Sequence, residues 1–301
     1  MGNTNVKAWL AFASVSIFWG TTFLAIRIGV QSMSPFLMAG MRHLLGGLLI
    51  CSFFLLKGYG LPTRKQFGVY VVNGILMLVI GNGLVTWAEM YISSGLAALI
   101  CALTPLSIIC VNALFGAQKE SLKAQAIIGI AFCLVAQVVI FRDNLKDLAD
   151  PNYLMGIVFI LIAIMGWGMG SIYSKNKQTG LNPLYGAGLQ MVSAGVILLV
   201  LGTVMGEWPL FNPTNEGMWS LVYLVVVGSL LGYGSYMYVL KQLPATIVST
   251  YAYINTIVAV ILGWLWLDEK LNAAIAMAVA LTILGVWMVN RSFNKAQKVI
   301  D

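Results

Sequence analysis

The apolar positions of this chain run together instead of alternating with polar ones. Continuous apolar stretches lie near 8–28, 36–56, 67–88, 93–115, 123–141, 153–174, 183–204, 217–239, 244–267 and 272–291. Each can supply the roughly 20 apolar residues that an α-helix needs to cross a bilayer. A barrel strand would show about ten residues of alternating polarity, and these runs are longer and unbroken. Turn and charge signals separate them, among them Lys57-Gly58-Tyr59-Gly60-Leu61-Pro62, Asp150-Pro151-Asn152 and Asn182-Pro183. The longest polar break, Arg142 to Asn152, falls near the middle. The pattern predicts an all-α transmembrane protein of ten helices joined by short connections.

Composition agrees with lipid as the main solvent. Of 301 residues, 60% are hydrophobic and 9% charged, whereas a soluble domain carries about 25% charged residues. Ten spans take about 200 residues, which leaves little room for an extramembrane domain. The net charge of +7 reads as topology and not as nucleic-acid binding, because Lys and Arg accumulate in cytoplasmic loops. With the N-terminus placed inside, the inside segments hold twelve basic residues: Lys7, Lys57, Arg64, Lys65, Lys119, Lys123, Lys175, Lys177, Lys241, Arg291, Lys295 and Lys298. The outside segments hold four, Arg27, Arg142, Lys146 and Lys270, while Arg42 falls within a span. Both termini are therefore expected in the cytoplasm. The first stretch reads as a retained helix, not a cleaved signal peptide. Cys51, Cys101, Cys110 and Cys133 all sit in apolar stretches and read as packing residues, not as a disulfide framework or metal site.

Residues 8–141 lie over residues 153–291 at a nearly constant offset. Trp19-Gly20 meets Trp167-Gly168 and Pro35 meets Pro183, both at a shift of 148. Gly95-Leu96-Ala97-Ala98 meets Ala245-Thr246-Ile247-Val248 at 150, and Glu120-Ser121-Leu122 meets Glu269-Lys270-Leu271 at 149. Each half holds five spans, an odd number, so the halves are expected to be inverted repeats. Inverted repeats recur in secondary transporters, with the substrate site near the midplane.

The chain resembles a bacterial, EamA-type, ten-helix member of the drug/metabolite transporter superfamily. The resemblance rests on Phe18-Trp19-Gly20-Thr21-Thr22-Phe23, Gly166-Trp167-Gly168, and Gly95-Leu96-Ala97-Ala98-Leu99 running into Thr104-Pro105-Leu106. Val248-Ser249-Thr250-Tyr251-Ala252-Tyr253-Ile254-Asn255 and Gly263-Trp264-Leu265-Trp266-Leu267-Asp268-Glu269-Lys270-Leu271 complete it. It covers nearly the whole chain and implies a multi-pass protein of the bacterial inner (plasma) membrane, with export of amino acids, metabolites, nucleobases or drugs. Asn255 stands where the family often has proline, so a proline kink is not carried over to the ninth helix.

A transport site needs polar or aromatic groups facing a cavity at mid-depth. Asn82, Thr86 and Glu89 are spaced to share one face of the third helix, as a cavity wall with Glu89 a cation- or proton-binding carboxylate at its mouth, a candidate for coupling beside His43 and Arg42. The plainer alternative is an interhelical hydrogen bond from Asn82 and an interfacial Glu89. Trp87 lies off that face. Arg42 and His43 in the second helix are read as an anion site or proton relay, since histidine titrates near neutrality; Arg42 could instead snorkel or pair with Glu89. Trp19 and Thr22, matched by Trp167 and Ser171, are read as an aromatic pair lining the pathway or as repeat-interface packing. Tyr236, Tyr251 and Asn255 add hydroxyls and π-faces, with Tyr251 and Asn255 on one face and Tyr253 on another. Such a wall suits an amphipathic or aromatic solute, and cation–π contact would favour a cationic one. Pro105 predicts a kink in the fourth helix. Gly166/Gly170 and Gly228/Gly232 read as close helix contacts, and Glu120 and Glu269 as interfacial boundary residues.

The expected function is a secondary carrier working by alternating access. No G-x-x-x-x-G-K-[ST] loop is present, so energy would come from an ion, proton, exchange or solute gradient. A membrane enzyme is disfavoured by a single His and no H-E-x-x-H. A channel is disfavoured by the lack of a filter sequence. No cofactor is expected. The expected partners are a small-molecule substrate and the lipid bilayer, with a homodimer left open and no nucleic acid.

Overall fold

The computed structural model describes residues 2–115, 124–143, 149–177, 179–269 and 271–297. Among these residues ten helical rods form the molecule. They are α1 (Gly2–Gly29), α2 (Pro35–Leu56), α3 (Arg64–Ala88), α4 (Ser94–Phe115) and α5 (Ala124–Asp143). The others are α6 (Pro151–Asn176), α7 (Pro183–Val204), α8 (Asn215–Gln242), α9 (Ala245–Val248 and Tyr251–Trp266) and α10 (Ala273–Gln297). Seven, α1 to α4 and α6 to α8, are long and apolar enough to cross a membrane, and α9 and α10 contain shorter apolar helices. The chain is thus an all-α, multi-span membrane protein.

Four rods are irregular. Ile75–Gly83 of α3 and Leu224–Tyr233 of α8 are wound as π-helix, a form that is rare and usually confined to single turns. α4 breaks at Ala102 and Leu103, and α9 at Ser249 and Thr250. The expected kink at Pro105 is therefore a break that precedes it. Pro105 sits in the first turn of the second piece, Thr104–Phe115, where a missing N–H leaves no helical bond unmade. α9 breaks without any proline.

α2 packs along α7 and α5 along α10, while α1 lies against α8 and α9, and α6 against α3 and α4. Glycines bring these rods together, as small residues do where lipid supplies no hydrophobic drive. A Cβ on Gly47 of α2 would lie 2.6 Å from the Val192 nitrogen and 2.8 Å from the Gly188 oxygen of α7. Gly166 and Gly170 seat α6 against Ile80 and Met77 of α3. Gly228 and Gly232 of α8 make room for Arg42 and for the Trp19 indole.

Two carboxylates tie helix starts to distant segments. Glu207 accepts the Phe36 and Leu37 N–H groups, each at 3.0 Å, and its carbonyl accepts the Ser34 hydroxyl at 2.7 Å. Glu269, expected as a boundary residue, instead accepts from the Ser94 nitrogen at 2.8 Å, the Ser94 hydroxyl at 2.7 Å and the Gly95 nitrogen at 3.0 Å. An anion at a helix start satisfies donors that have no intrahelical partner. Glu120 lies outside the described residues.

Candidate functional site

A cavity of about 80 Å³ lies between α1, α2, α3, α4, α6, α8 and α9. About 10–15 Å³ admits one water, so this conformation holds a few heavy atoms of solute. Of the residues singled out from the sequence, Trp19, Thr22, Arg42, His43, Asn82, Trp167, Tyr251 and Asn255 line it.

One side is closed by aromatic rings. The Trp19 ring meets Trp167 edge-on at 5.2 Å between centroids, Tyr251 edge-on at 5.1 Å, and stacks on Tyr236 at 5.2 Å. Edge-to-face and offset pairs at these distances are the favoured aromatic geometries. The indole Nε1 of Trp19 donates to the Gly228 carbonyl at 2.9 Å, which fixes the ring across the α1–α8 contact. The Trp167 indole donates to the Tyr236 hydroxyl at 3.2 Å, and Ser171 bonds the same hydroxyl at 2.8 Å. Ser171 and Tyr236 thus stand behind the wall and hold Trp167 in it.

The polar side is built on α2 and α3. Arg42, 3% exposed, donates from Nε to Ser229 at 3.1 Å and from Nη1 to Asn82 Oδ1 at 3.3 Å. His43 Nε2 shares the same Asn82 oxygen at 2.9 Å, and His43 Nδ1 is buried without a hydrogen-bond partner. Asn255 presents a buried Oδ1 that no donor satisfies. Buried polar atoms are nearly always paired; these two have no partner among the described residues. Arg42 is the one charged side chain on the described wall.

Ser171 and Tyr236, expected on the wall, are not among its lining residues, and three further expectations change. The face of α3 on the cavity runs through Leu78, Gly81, Asn82 and Val85, so Thr86 and Glu89 do not join it. Thr86 turns its hydroxyl to the Asn82 carbonyl at 2.9 Å. Glu89 does not stand at a mouth: it is 0% exposed, with neither carboxylate oxygen hydrogen-bonded. Nor does it pair with Arg42, whose donors go to Ser229 and Asn82. Arg27 donates to the Glu89 backbone carbonyl. Sequence reasoning also missed Tyr233, which lines the cavity and donates to Gln190. Its spacing of three residues from Tyr236 on one helix would have pointed to it.

The sequence profile of the EamA-like transporter family matches residues 6–142 and again 154–291. The chain belongs to this family. The uncharacterized inner membrane transporter YedA of Escherichia coli (strain K12) is 34% identical over 286 residues, covering 92% of this chain and 91% of YedA. The uncharacterized transporter YoaV of Bacillus subtilis (strain 168) is 22% identical, covering 96% of this chain and 99% of YoaV. A solved crystal structure shares the fold with a TM-score of 0.70 at 19% identity, over 94% of this chain and 97% of that one. The chain is accordingly a multi-pass inner-membrane transporter of bacterial type, and not an enzyme.

Proposed function

We propose that this EamA-family chain is a secondary carrier that exports a small solute by alternating access through a central site between two repeats, 8–141 and 153–291. The solute class that the wall suits best carries a carboxylate or similar acceptor on a compact apolar body, as an amino acid or small metabolic acid does. The observation that carries this reading is a cavity with Arg42 as the one charged group on its described wall and a ring cluster closing one side. A guanidinium in a site of low polarity attracts an anion strongly and repels a cation, so it outweighs the cation–π preference of the rings. Nucleobases and neutral drugs fit the rings but bring no anionic group to Arg42 on the wall.

The repeat reading is supported by several pairings, and the placing of both termini in the cytoplasm by the uneven distribution of Lys and Arg between the connections. The family profile matches each half. The π-helical rods are the third of each half, and the broken rods are the fourth of each half. The contacts also exchange: α1 with α9 corresponds to α6 with α4, and α1 with α8 to α6 with α3. Halves of equal build can trade conformations, which opens one site to each side in turn.

Purified protein in liposomes is expected to show saturable uptake of a carboxylated solute, accelerated by the same solute on the far side. An ohmic current far above carrier turnover would overturn the carrier reading. Coupling is assigned to Glu89 and His43. Glu89 is a buried carboxyl whose charged neighbours are Arg27, Glu269 and Arg42, and His43 touches the cavity directly. Glu89→Gln is expected to abolish uptake driven by an imposed proton gradient while leaving counterflow intact, and His43→Ala to weaken both. Full gradient-driven uptake in both variants would remove proton coupling from this site.

A further inference from the structure

A second cavity, of about 110 Å³, lies at the end of the bundle where α3 and α7 begin and α6 and α8 end. Three lysines contribute to its lining: half-buried Lys175 and exposed Lys177 from the exit of α6, and exposed Lys241 from the last turn of α8. Tyr70, Ser174 and Thr179 add hydroxyls. The Tyr70 hydroxyl is fastened to Thr179 Oγ1, and Gln66 donates to the Thr179 carbonyl at 3.0 Å, so the loop wall is held in place. Leu181 and Pro183 bring in the start of α7, the positive end of its helix dipole.

The acidic residues lie elsewhere. Glu89, Asp143, Asp150, Glu207, Glu216, Asp268 and Glu269 all stand in or beside connections at the opposite end of the bundle. Glu120, Asp147 and Asp301 fall outside the described residues. Among the described residues no carboxylate lines the cavity, and no acceptor engages the three lysines. Three like charges lining one concave space make it favourable to an anion.

We propose that this cavity is an anion site for a phosphate group, supplied by an anionic lipid headgroup or by a soluble phosphate. Basic pockets between membrane helices take phosphate-bearing headgroups in this way. The site is separate from the central cavity, with which it shares no lining residue. It is nevertheless one turn from the ring cluster along two rods. Ser171 and Tyr236, joined at 2.8 Å, lie just ahead of Ser174–Lys175 on α6 and of Leu240–Lys241 on α8. A phosphate between Lys175 and Lys241 spans the same two rods.

The test uses full-length protein in a neutral detergent. Binding of phosphatidylglycerol, phosphatidylcholine and inorganic phosphate is followed by native mass spectrometry and by the shift in melting temperature. Phosphatidylglycerol or inorganic phosphate is expected to bind, and phosphatidylcholine to bind far more weakly. Binding of phosphatidylglycerol alone assigns the site to lipid, and binding of inorganic phosphate assigns it to a soluble anion. The triple variant Lys175→Gln, Lys177→Gln, Lys241→Gln is expected to weaken binding about 100-fold, since each lysine contributes roughly a factor of five. The triple variant with arginine at the same positions is expected to keep it. Equal binding of anionic and zwitterionic lipid with no phosphate binding, or undiminished binding by the glutamine variant, would overturn the proposal. If the glutamine variant does not fold, failure of the arginine variant to bind either anion would do so.

Discussion

Arg42→Gln is expected to lower the transport efficiency of a carboxylated solute by about 100-fold, through KM more than through turnover. The guanidinium is buried, and its contacts, Ser229 and Asn82, are neutral. No carboxylate hydrogen-bonds it, and on the cavity wall its charge faces the solute, with buried Glu89 as a more distant neighbour. Losing one partner of a buried charge pair costs roughly 2–5 kcal/mol, and about 2.7 kcal/mol is a hundredfold in affinity. Glutamine keeps a donor near the Nε position that faces Ser229 and loses the charge together with the donor to Asn82. Arg42→Lys keeps the charge but loses the fork that serves Ser229 and Asn82 together, so an intermediate KM is expected. The check is counterflow kinetics beside a melting curve. A glutamine variant that melts early but transports with an unchanged KM would make Arg42 a packing residue.

Gly47→Leu is expected to prevent a folded protein from being recovered. The added atoms would meet backbone, the Val192 nitrogen at 2.6 Å and the Gly188 oxygen at 2.8 Å. A side chain can swing aside, but the backbone of a packed helix cannot. Overpacking of ordinary cores costs about 1–3 kcal/mol, and the α2–α7 contact lies at the upper end because both rods must separate along their length. Gly68→Leu is the control: a Cβ at Gly68 meets nothing within 4 Å, so this variant should elute and melt as the parent does. Size-exclusion profiles of detergent extracts separate the two outcomes. A monodisperse Gly47→Leu protein with a parental melting temperature would refute the close contact.

The course of the rods was legible in the sequence because their ends carry punctuation. The stretch 36–56 became Pro35–Leu56, and 183–204 became Pro183–Val204, with proline at the start of each. The inward faces were less legible. In lipid, the outer face of a helix is as apolar as its packed face, so periodicity does not say which side meets protein. Asn82 was found because a polar side chain in an apolar run is conspicuous. Thr86 and Glu89 were placed with it by helical spacing alone, and both turn away. Tyr233 gives no such contrast, because tyrosine is amphipathic, and only its spacing from Tyr236 points to it. The capping role of Glu269 depends on Ser94 and Gly95, 175 and 174 residues away, and no local pattern announces a partner at that distance. The π stretches carry no sequence signature at all, since Ile75–Gly83 and Leu224–Tyr233 read as ordinary apolar helix.

Those wide turns bear on how the rods could move in a medium without water. A broken backbone hydrogen bond inside a bilayer has nothing to replace it, so bending a straight helix there is expensive. A π-helical turn is a register dislocation, one residue too many for the winding on either side. If it shifts along the rod by a residue, one bond is made as another is released, and the segment beyond it turns about its axis. Asn82 lies at one end of such a stretch in α3, and Ser229 and Tyr233 lie within the other in α8. The contacts of Arg42 are thus mounted on two screws that can be turned without being unthreaded.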